Sequence, residues 1–357
     1  MLGLLAALAA QTAAVPPKSW PTHEADVVLK DFRFADGESL PQLKIHYTTL
    51  GEPHRNAAGE IDNAVMVLHG TGGDGHQFLR PQFADELYGP GQPLDIREYW
   101  IILPDNIGHG KSSKPSDGLR MKFPKYDYDD MVEAQYRMLT EGLGVRRMRL
   151  IMGTSMGCMH SFMWGEQHPD FAKALMPLAC MPVEIAGLNR MWRQLVIDGI
   201  KKDPAYGEGK SAGEYDLEPV EGLRTAESIL QIVGAAPLNL QKLYPTRGAA
   251  TAYVRKRMDT GMADLDANDM IYQFESSRNY NPWPQLEKIK APLTWVNSAD
   301  DFINPRNLDL PQKAVKRMGK NARFRLIPES SETHGHGTHT WAAFWKKDLI
   351  ELLARSD

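Results

Sequence analysis

The chain has 357 residues, with 41 Lys and Arg against 45 Asp and Glu and a formal net charge of −4. Hydrophobic residues make up 42% and charged residues 24%, which is typical of globular proteins and excludes a disordered or collagen-like chain. The near balance of charge argues against a nucleic-acid-binding protein, because such proteins usually carry an excess of Lys and Arg. The composition therefore predicts an enzyme-sized globular protein.

The N-terminal residues 1–20 are interpreted separately. Residues 2–10 contain only Leu, Ala and Gly, and small residues follow at Ala13 and Ala14, which is the pattern of a secretory signal. The first basic side chain is Lys18, so a hydrophobic N-terminal segment is the alternative. This run is shorter than the roughly 20 apolar residues that cross a bilayer, and no other segment is long and apolar enough. We expect a periplasmic or secreted protein if the segment is a signal, and otherwise a cytoplasmic one.

Strand patterns alternate with helical patterns through most of the chain. Two segments near the start alternate apolar and polar side chains, at residues 27–34 and 43–51. Later runs are largely apolar, as in strands buried on both faces of a parallel sheet, and lie at residues 64–68, 99–103, 148–152, 174–179 and 292–296. A last strand is predicted over residues 324–328. This alternation predicts an α/β fold with a doubly wound, mostly parallel sheet.

One segment interrupts the alternation. Residues 183–290 contain helical patterns at 226–233, 248–258 and 267–275 but no convincing buried strand. We expect this segment to form a helical cap over the strand ends, while residues 21–182 and 291–357 form the α/β core. Within the core, helices are predicted from Asp130 to about residue 142, over residues 156–168, and over residues 340–353 at the end of the chain.

The strongest functional motif is a G-x-S-x-G sequence at residues 153–157, between a predicted strand and a predicted helix. In that context the glycines permit a tight turn, and Ser155 is exposed above the sheet in a strained backbone conformation. A helix N-terminus at the same position favours developing negative charge. We therefore predict that Ser155 is a nucleophile; the alternative is a glycine-rich turn with a capping serine.

A serine nucleophile needs a base and an orienting acid, which in this fold follow in the order Ser, Asp or Glu, His. Asp300 and Asp301 both follow the strand at 292–296, and we predict Asp301 as the acid because Pro305 lies four residues after it. Asp300 would then be a solvated turn residue. His336 lies between two glycines on the loop before the last helix, and we predict it as the base.

A metal site is the alternative for the histidine loop. His334, His336 and His339 lie close together in sequence, and Glu332 is near them. Their spacing matches no standard zinc signature, and the triad already accounts for His336. We therefore expect no metal and no cofactor, with His334 and His339 as loop residues.

An oxyanion hole is predicted where the first parallel strand ends. The sequence His69-Gly70-Thr71-Gly72-Gly73 leaves the backbone accessible to a substrate, so Gly70 and Gly72 are predicted to line the binding site. We predict the Thr71 and Met156 N–H groups as the donors. A phosphate-binding loop is disfavoured, because the Lys and Ser/Thr of a P-loop are missing here.

The two cysteines, Cys158 and Cys180, are too few for a disulfide scaffold or a four-ligand zinc site. Cys158 falls inside the predicted helix after Ser155, where a buried apolar side chain is the expected role. A Cys158–Cys180 disulfide is compatible with export, but the sequence spacing does not establish it.

The residues so far resemble the homoserine O-acetyltransferase-like branch of the α/β-hydrolase superfamily from about residue 27 to the C-terminus. The motifs that carry this resemblance are Asp130-Met131-Val132-Glu133-Ala134-Gln135, Gly153-Thr154-Ser155-Met156-Gly157-Cys158-Met159, Asp62-Asn63-Ala64-Val65, Asp266-Ala267-Asn268 and the Asp301 loop. The resemblance implies Ser155, Asp301 and His336 as a catalytic triad, a helical cap and a homodimer. It also aligns Arg193 with the arginine that holds the homoserine carboxylate, and Tyr280 is a second predicted substrate contact in the cap.

Three departures from the family pattern bear on function. Gly337 stands where the acetyltransferases usually have Asp, Thr154 and Cys158 replace two elbow glycines, and the His69-Gly70 loop is of an esterase type. We therefore predict a serine hydrolase that cleaves a carboxylic ester of a small-molecule substrate through an acyl-enzyme. The alternative is an acyltransferase that passes the acyl group to an alcohol or amine. A non-catalytic binding protein on the same scaffold is a third hypothesis, disfavoured because all three triad positions are filled.

Overall fold

A computed structural model describes residues 19–207, 213–260 and 264–356, so the signal-like residues 2–10 lie outside the described part. Eight strands form one sheet: β1 His23–Arg33, β2 Ser39–Leu50, β3 Ala64–Leu68, β4 Trp100–Pro104, β5 Leu150–Thr154, β6 Leu175–Leu178, β7 Leu293–Ser298 and β8 Ala322–Ile327. The strand order is β1-β2-β4-β3-β5-β6-β7-β8. The two outer pairings, β1 with β2 and β2 with β4, are antiparallel, and the others are parallel. The predicted doubly wound, mostly parallel sheet is confirmed.

The described residues contain ten α-helices: α1 Pro81–Leu87, α2 Tyr128–Arg137, α3 Met156–Gln167, α4 Gly187–Lys201, α5 Val220–Val233, α6 Pro237–Leu243, α7 Arg247–Thr260, α8 Ala267–Glu275, α9 Leu310–Met318 and α10 Lys346–Ala354. In these residues, no helix is both long and apolar enough to span a membrane. Helices α4–α8 all lie between β6 and β7, in the segment predicted as a cap, which is called the helical insertion (residues 183–290) below.

The core lies on both faces of the sheet. Side chains point alternately to opposite faces of a strand, so neighbouring residues of β3 enter different hydrophobic clusters. Met66 packs on one face with Phe162 and Trp295, whereas Val67 packs on the other with Phe83. Burial on both faces explains why β3 has no polar residue. The helical insertion has a separate hydrophobic cluster, which includes Trp192, Ile197, Leu223, Ile271 and Phe274.

Two predicted helix boundaries are wrong. Helix α2 begins at Tyr128, because the Asp127 carboxylate caps it by accepting the Asp130 N–H at 3.1 Å, and Asp130 returns a bond to the Asp127 N–H. The helix predicted over residues 340–353 begins only at Lys346, after two short 3₁₀ turns. The Trp345 indole N–H donates to the His339 carbonyl, which holds this irregular segment against the histidine loop.

Candidate active site

The sharp turn between β5 and α3 carries Ser155. Its backbone has φ of 55° and ψ of −108°, a conformation that L-residues rarely adopt. The Ser155 N–H donates to the Leu178 carbonyl at 2.8 Å, and the Gly157 N–H donates to the His69 carbonyl at 3.0 Å. These bonds fix the turn between two neighbouring strands, so the strain at Ser155 is held by the sheet. The result is a serine hydroxyl presented at the start of a helix.

The structure brings the three predicted triad residues together. Ser155 Oγ lies 2.8 Å from His336 Nε2, and His336 Nδ1 lies 2.9 Å from Asp301 Oδ2. With Nδ1–H donating to the carboxylate, Nε2 is free to accept the serine proton. A hydrogen-bonded chain from acid to base to nucleophile can therefore form in the order that the sequence predicted.

Asp301 is almost completely buried yet well supplied with donors. The N–H groups of Ile303 and Asn304 bind Oδ1 at 2.9 and 3.2 Å, and the Asn304 amide binds Oδ2 at 2.9 Å. Burial by itself raises the pKa of Asp301, but the nearby His336 ring and the Asn304 bonds outweigh it and lower the pKa below its usual value. Asp301 is therefore ionised at neutral pH and suited to orient His336. Sequence reasoning missed Asn304, although it lies in the same loop.

Asp300 is not the solvated turn residue that the sequence predicted. Its Oδ2 accepts the Thr333 hydroxyl at 2.8 Å and the Gly335 N–H at 3.0 Å, and its Oδ1 accepts the Ser298 hydroxyl. These contacts tie the acid loop to the backbone immediately before His336. The two neighbouring aspartates thus bind different residues of the histidine loop: Asp301 binds the His336 ring, and Asp300 binds Thr333 and Gly335.

The glycine-rich loop after β3 lies beside the serine. Gly70 is buried against Ser155, and a Cβ atom added at Gly70 would lie 3.2 Å from the Ser155 Cβ. Thr71 and Gly72 line the cavity above the triad, whereas Gly70 and the Met156 side chain do not. The Gly157 N–H already donates to His69, which leaves Thr71 and Met156 as the proposed oxyanion donors. The predicted contact of Gly70 with substrate is replaced by a packing role.

A cavity of about 650 Å³ opens over Ser155 and His336 between the core and the helical insertion. Arg193 of α4 lines it, completely buried, with its Nε donating to Asn189 at 2.9 Å and its Nη1 donating to Ser277 at 3.3 Å. Burial lowers the pKa of Arg193. Among the described residues no carboxylate pairs with this guanidinium. The structure thus places Arg193, a predicted substrate contact, in the lining of the cavity over Ser155.

Tyr128 is a residue that sequence reasoning missed. Its hydroxyl is buried beside the Thr71, Ser277 and Arg193 side chains. Burial raises the pKa of Tyr128, and the nearby Arg193 charge opposes that shift. Tyr128 lies more than 60 residues from Arg193 in sequence, at the start of α2, and no local pattern brings the two together.

Tyr280 does not reach the cavity, so the predicted substrate contact is wrong. The side chain is 1% exposed and packs beside Tyr128, with ring centroids 5.8 Å apart. Its hydroxyl donates to the Met181 carbonyl at 3.1 Å. The Tyr280 hydroxyl is therefore satisfied inside the core.

The other side chains of the histidine loop have separate partners. His334 stacks on Trp341 with ring centroids 4.1 Å apart, and Glu332 pairs with Lys242. His339 is fully buried, and its Nδ1 donates to the His336 carbonyl. Burial lowers the pKa of His339 to about 3, so its ring is neutral. These side chains do not converge with His336 on one point.

The helical insertion packs directly on the histidine loop. Gly335 has φ of +58°, and a Cβ atom added there would lie 2.6 Å from the Ala235 carbonyl oxygen at the end of α5. Asn239 of α6 donates to the Ser331 carbonyl at 2.9 Å. Only glycine permits this approach, so the position of His336 depends on contacts with the insertion.

A disulfide joins Cys158, one turn into α3, to Cys180, just after β6. Both cysteines are buried, and Cys180 lines a small cavity beside Ser155. The sequence left this pairing open. The bond links the nucleophile helix to the strand that leads into the helical insertion.

We expect removal of this disulfide to destabilise the protein. The bond closes a loop between residues 22 apart in sequence, which corresponds to about 3 kcal/mol of chain entropy in the unfolded state. The double variant Cys158→Ala/Cys180→Ala should unfold at a lower temperature in calorimetry, and reductant should lower the midpoint of the wild-type protein but not of the variant. A wild-type midpoint that equals the variant's without reductant would contradict a stabilising role.

We also expect Gly157→Ala to disrupt the elbow. A Cβ atom there would lie 2.1 Å from the Leu68 carbonyl oxygen, a backbone atom that cannot move without displacing β3. The expected loss of unfolding free energy is about 3 kcal/mol, the upper end of the usual cost of overpacking. Gly248→Ala is the matched control, because no atom lies within 4 Å of its added Cβ and alanine favours a helix. Equal unfolding midpoints for the two variants would show that the elbow is not tightly packed.

Comparison with known proteins agrees with this architecture. Residues 63–331 match the family model of the alpha/beta hydrolase fold. The homoserine O-acetyltransferase of Pelobacter propionicus is 27% identical over 351 residues, 88% of this chain and 91% of that one. A homoserine O-acetyltransferase from Bacillus anthracis superposes with a TM-score of 0.79 at 20% identity, over 93% of this chain and 97% of that one.

An acetyl esterase, MekB, superposes equally well, with a TM-score of 0.78 at 22% identity over 93% of this chain and 97% of that one. At 20% and 22% identity, these two solved structures show only that the fold is shared. One of them is named as an acetyltransferase and the other as an esterase. The resemblance inferred from the elbow and the Asp301 loop is confirmed. The chain belongs to the alpha/beta hydrolase fold family, in the branch that resembles the homoserine O-acetyltransferases.

Proposed function

We propose that the protein is a serine esterase that cleaves a small carboxylic ester through an acyl-enzyme. The observation that carries this proposal is the chain of two hydrogen bonds, 2.8 and 2.9 Å long, that joins Ser155 to His336 and His336 to Asp301. In this mechanism Ser155 Oγ attacks the ester carbonyl carbon while its proton moves to His336 Nε2. The carbonyl oxygen becomes an oxyanion that accepts the Thr71 and Met156 N–H groups.

The second half of the reaction uses the same residues. His336 passes its proton to the leaving alcohol oxygen, and the ester C–O bond breaks to leave the acyl group on Ser155. His336 then takes a proton from water, whose oxygen attacks the acyl carbon, and the carboxylic acid is released as Ser155 regains its proton. Asp301 stays ionised throughout and holds the imidazole in one tautomer.

Two cavities beside Ser155 differ in size, and the smaller one supports an ester substrate with a short acyl chain. A space of about 70 Å³ beside Ser155 is lined mostly by apolar side chains, including Met159, Val183 and Ile303. A space of this size accepts only a small group, which suits a short acyl chain. The larger cavity is lined by acidic side chains such as Asp74 and Glu227 together with apolar ones such as Trp192 and Phe274, and it suits the alcohol part of the ester.

The disulfide supports a location of the protein outside the cytoplasm. Disulfides persist in the periplasm and outside the cell, whereas cytoplasmic thiols are kept reduced. The Cys158–Cys180 bond therefore agrees with the secretory interpretation of residues 2–10, and its argument is independent of that segment. Acyl-CoA donors are cytoplasmic, so this location favours water as the acceptor.

Acyl transfer to an acceptor with a carboxylate is the second candidate function. Arg193 favours it, because a buried guanidinium that lacks a carboxylate partner among the described residues is suited to bind an anionic ligand. Arg193→Met should then raise KM for an anionic acceptor or ester about tenfold or more while leaving a neutral ester unaffected.

A competition experiment separates the two functions. The enzyme is supplied with acetyl-CoA or an activated acetyl ester together with millimolar homoserine, and both products are followed. Predominant release of acetate supports the esterase, and efficient formation of O-acetylhomoserine supports the transferase. A transferase result would also require another explanation for Gly337, since glycine lacks the carboxylate that the related enzymes usually present beside the histidine.

A further inference from the structure

A buried chain of polar side chains leads from α3 to the glycine-rich loop beside Ser155. The Trp164 indole N–H donates to Gln135 Oε1 at 2.7 Å, and Gln135 Nε2 donates to Asn106 Oδ1. Asn106 Nδ2 lies 3.0 Å from His69 Nε2, and His69 Nδ1 lies 2.9 Å from the Gly70 carbonyl oxygen. All four side chains are at most 2% exposed, so water does not compete for these bonds.

Trp164, at one end of this chain, determines which group donates and which accepts in each hydrogen bond. An indole N–H can only donate, so the Gln135 oxygen faces Trp164 and its nitrogen faces Asn106. The Asn106 oxygen therefore faces Gln135, and its amide nitrogen faces His69. The Asn106 backbone N–H also points at His69 Nε2, at 3.0 Å. Two donors aimed at one ring nitrogen require it to carry a lone pair.

His69 is consequently a neutral imidazole with its proton on Nδ1. Burial lowers the pKa of His69, which agrees with a neutral ring. The Nδ1–H donates to the Gly70 carbonyl, which also accepts the Gly73 N–H at 3.0 Å. Two hydrogen bonds, from the His69 ring and from the Gly73 N–H, therefore hold the Gly70 carbonyl in one orientation.

The Gly70 carbonyl and the Thr71 N–H belong to the same peptide group. That group is planar, and the described chain contains no cis peptide bond, so the C=O and the N–H point in opposite directions. We propose that His69, held in one tautomer by Asn106, Gln135 and Trp164, is a positioning residue that locks this peptide plane and aims the Thr71 N–H at the oxyanion. The proposal rests on the proposed acyl-enzyme function, in which Thr71 is an oxyanion donor.

Two substitutions at His69 separate this role from simple packing. In His69→Asn the amide nitrogen takes the place of Nδ1 and can still donate to Gly70. In His69→Gln the amide group reaches the place of Nε2, which satisfies Asn106 but leaves the Gly70 carbonyl without its side-chain donor. We expect His69→Gln to lower kcat on a p-nitrophenyl ester by on the order of 10², the effect of losing one oxyanion donor, with KM nearly unchanged. His69→Asn should recover most of that loss.

Inhibition by a trifluoromethyl ketone provides the decisive measurement, because its adduct with the serine places an oxyanion in the same position. Ki should rise in His69→Gln by the same factor as kcat falls, whereas a smaller fraction of folded enzyme would lower kcat and leave Ki unchanged. An unchanged Ki, or equal losses in the two variants, would overturn the proposal for His69. If the ketone does not inhibit the wild-type enzyme, or Ser155→Ala retains turnover, the acyl-enzyme function itself fails.

Discussion

Ser155→Ala is expected to lower ester turnover by about six orders of magnitude, because no other group can form the acyl-enzyme. The hydroxyl that attacks the carbonyl is removed, while the cavity and the His336–Asp301 pair are left intact. A fluorophosphonate probe, which reacts covalently with an activated serine, should label the wild-type protein at Ser155 and should not label the variant. Peptide mapping by mass spectrometry identifies the labelled residue.

Ser161→Ala is the matched control for that experiment. Ser161 lies on the same helix, and its hydroxyl donates to the Gly157 carbonyl at 2.8 Å. It is fully buried, and among the described residues its hydroxyl is hydrogen-bonded to a carbonyl and not to a histidine, so its loss should leave labelling and turnover close to wild type. Labelling that persists in Ser155→Ala would contradict the assignment of the nucleophile.

Asp301→Asn is expected to lower kcat by about four orders of magnitude at neutral pH. The asparagine amide group can donate to His336 Nδ1, which stabilises the wrong tautomer and puts the proton on Nε2, where the serine proton must go. The fold should survive, because the Ile303 and Asn304 N–H groups can still bind the side-chain oxygen. Steady-state kinetics on a short-chain p-nitrophenyl ester measures the effect.

Asp300→Asn is the neighbouring comparison. It keeps one oxygen for the Gly335 and Thr333 donors but loses the negative charge that strengthens these bonds. We expect a loss of less than about tenfold in kcat, together with a lower unfolding temperature. A large kinetic loss at Asp300 with little effect at Asp301 would reverse the roles of the two aspartates.

The parts of the site that the sequence predicted are those set by local structure. The elbow at Ser155 is a tight strand-to-helix turn whose glycines are visible in five consecutive residues, and chain order then selects Asp301 and His336. The strands were identifiable because burial on both faces of a parallel sheet removes polar residues from them. The elbow and the strands depend mainly on contacts within or next to the same segment of the chain, which a sequence pattern records.

Features that depend on distant contacts were not predictable. Tyr128 reaches Arg193 only after α2 and α4 have packed around the cavity, and Tyr280 turns into the core because the Met181 carbonyl is available there. The function of Asp300 follows from bonds to residues more than 30 positions away. The late start of α10 likewise follows from the bond between the Trp345 indole and the His339 carbonyl.

The close approach of Gly335 to Ala235 has a consequence for how specificity can be transplanted between relatives. A chimera that receives a foreign insertion over residues 183–290 but keeps the native loop at 331–335 would lose the fitted approach of Gly335 to Ala235 and the bond from Asn239 to Ser331. The exchangeable module is therefore discontinuous in sequence: it consists of the insertion together with the five residues before His336. Chimeras built on that pair of segments should retain reactivity at Ser155, and chimeras that exchange the insertion alone should lose it.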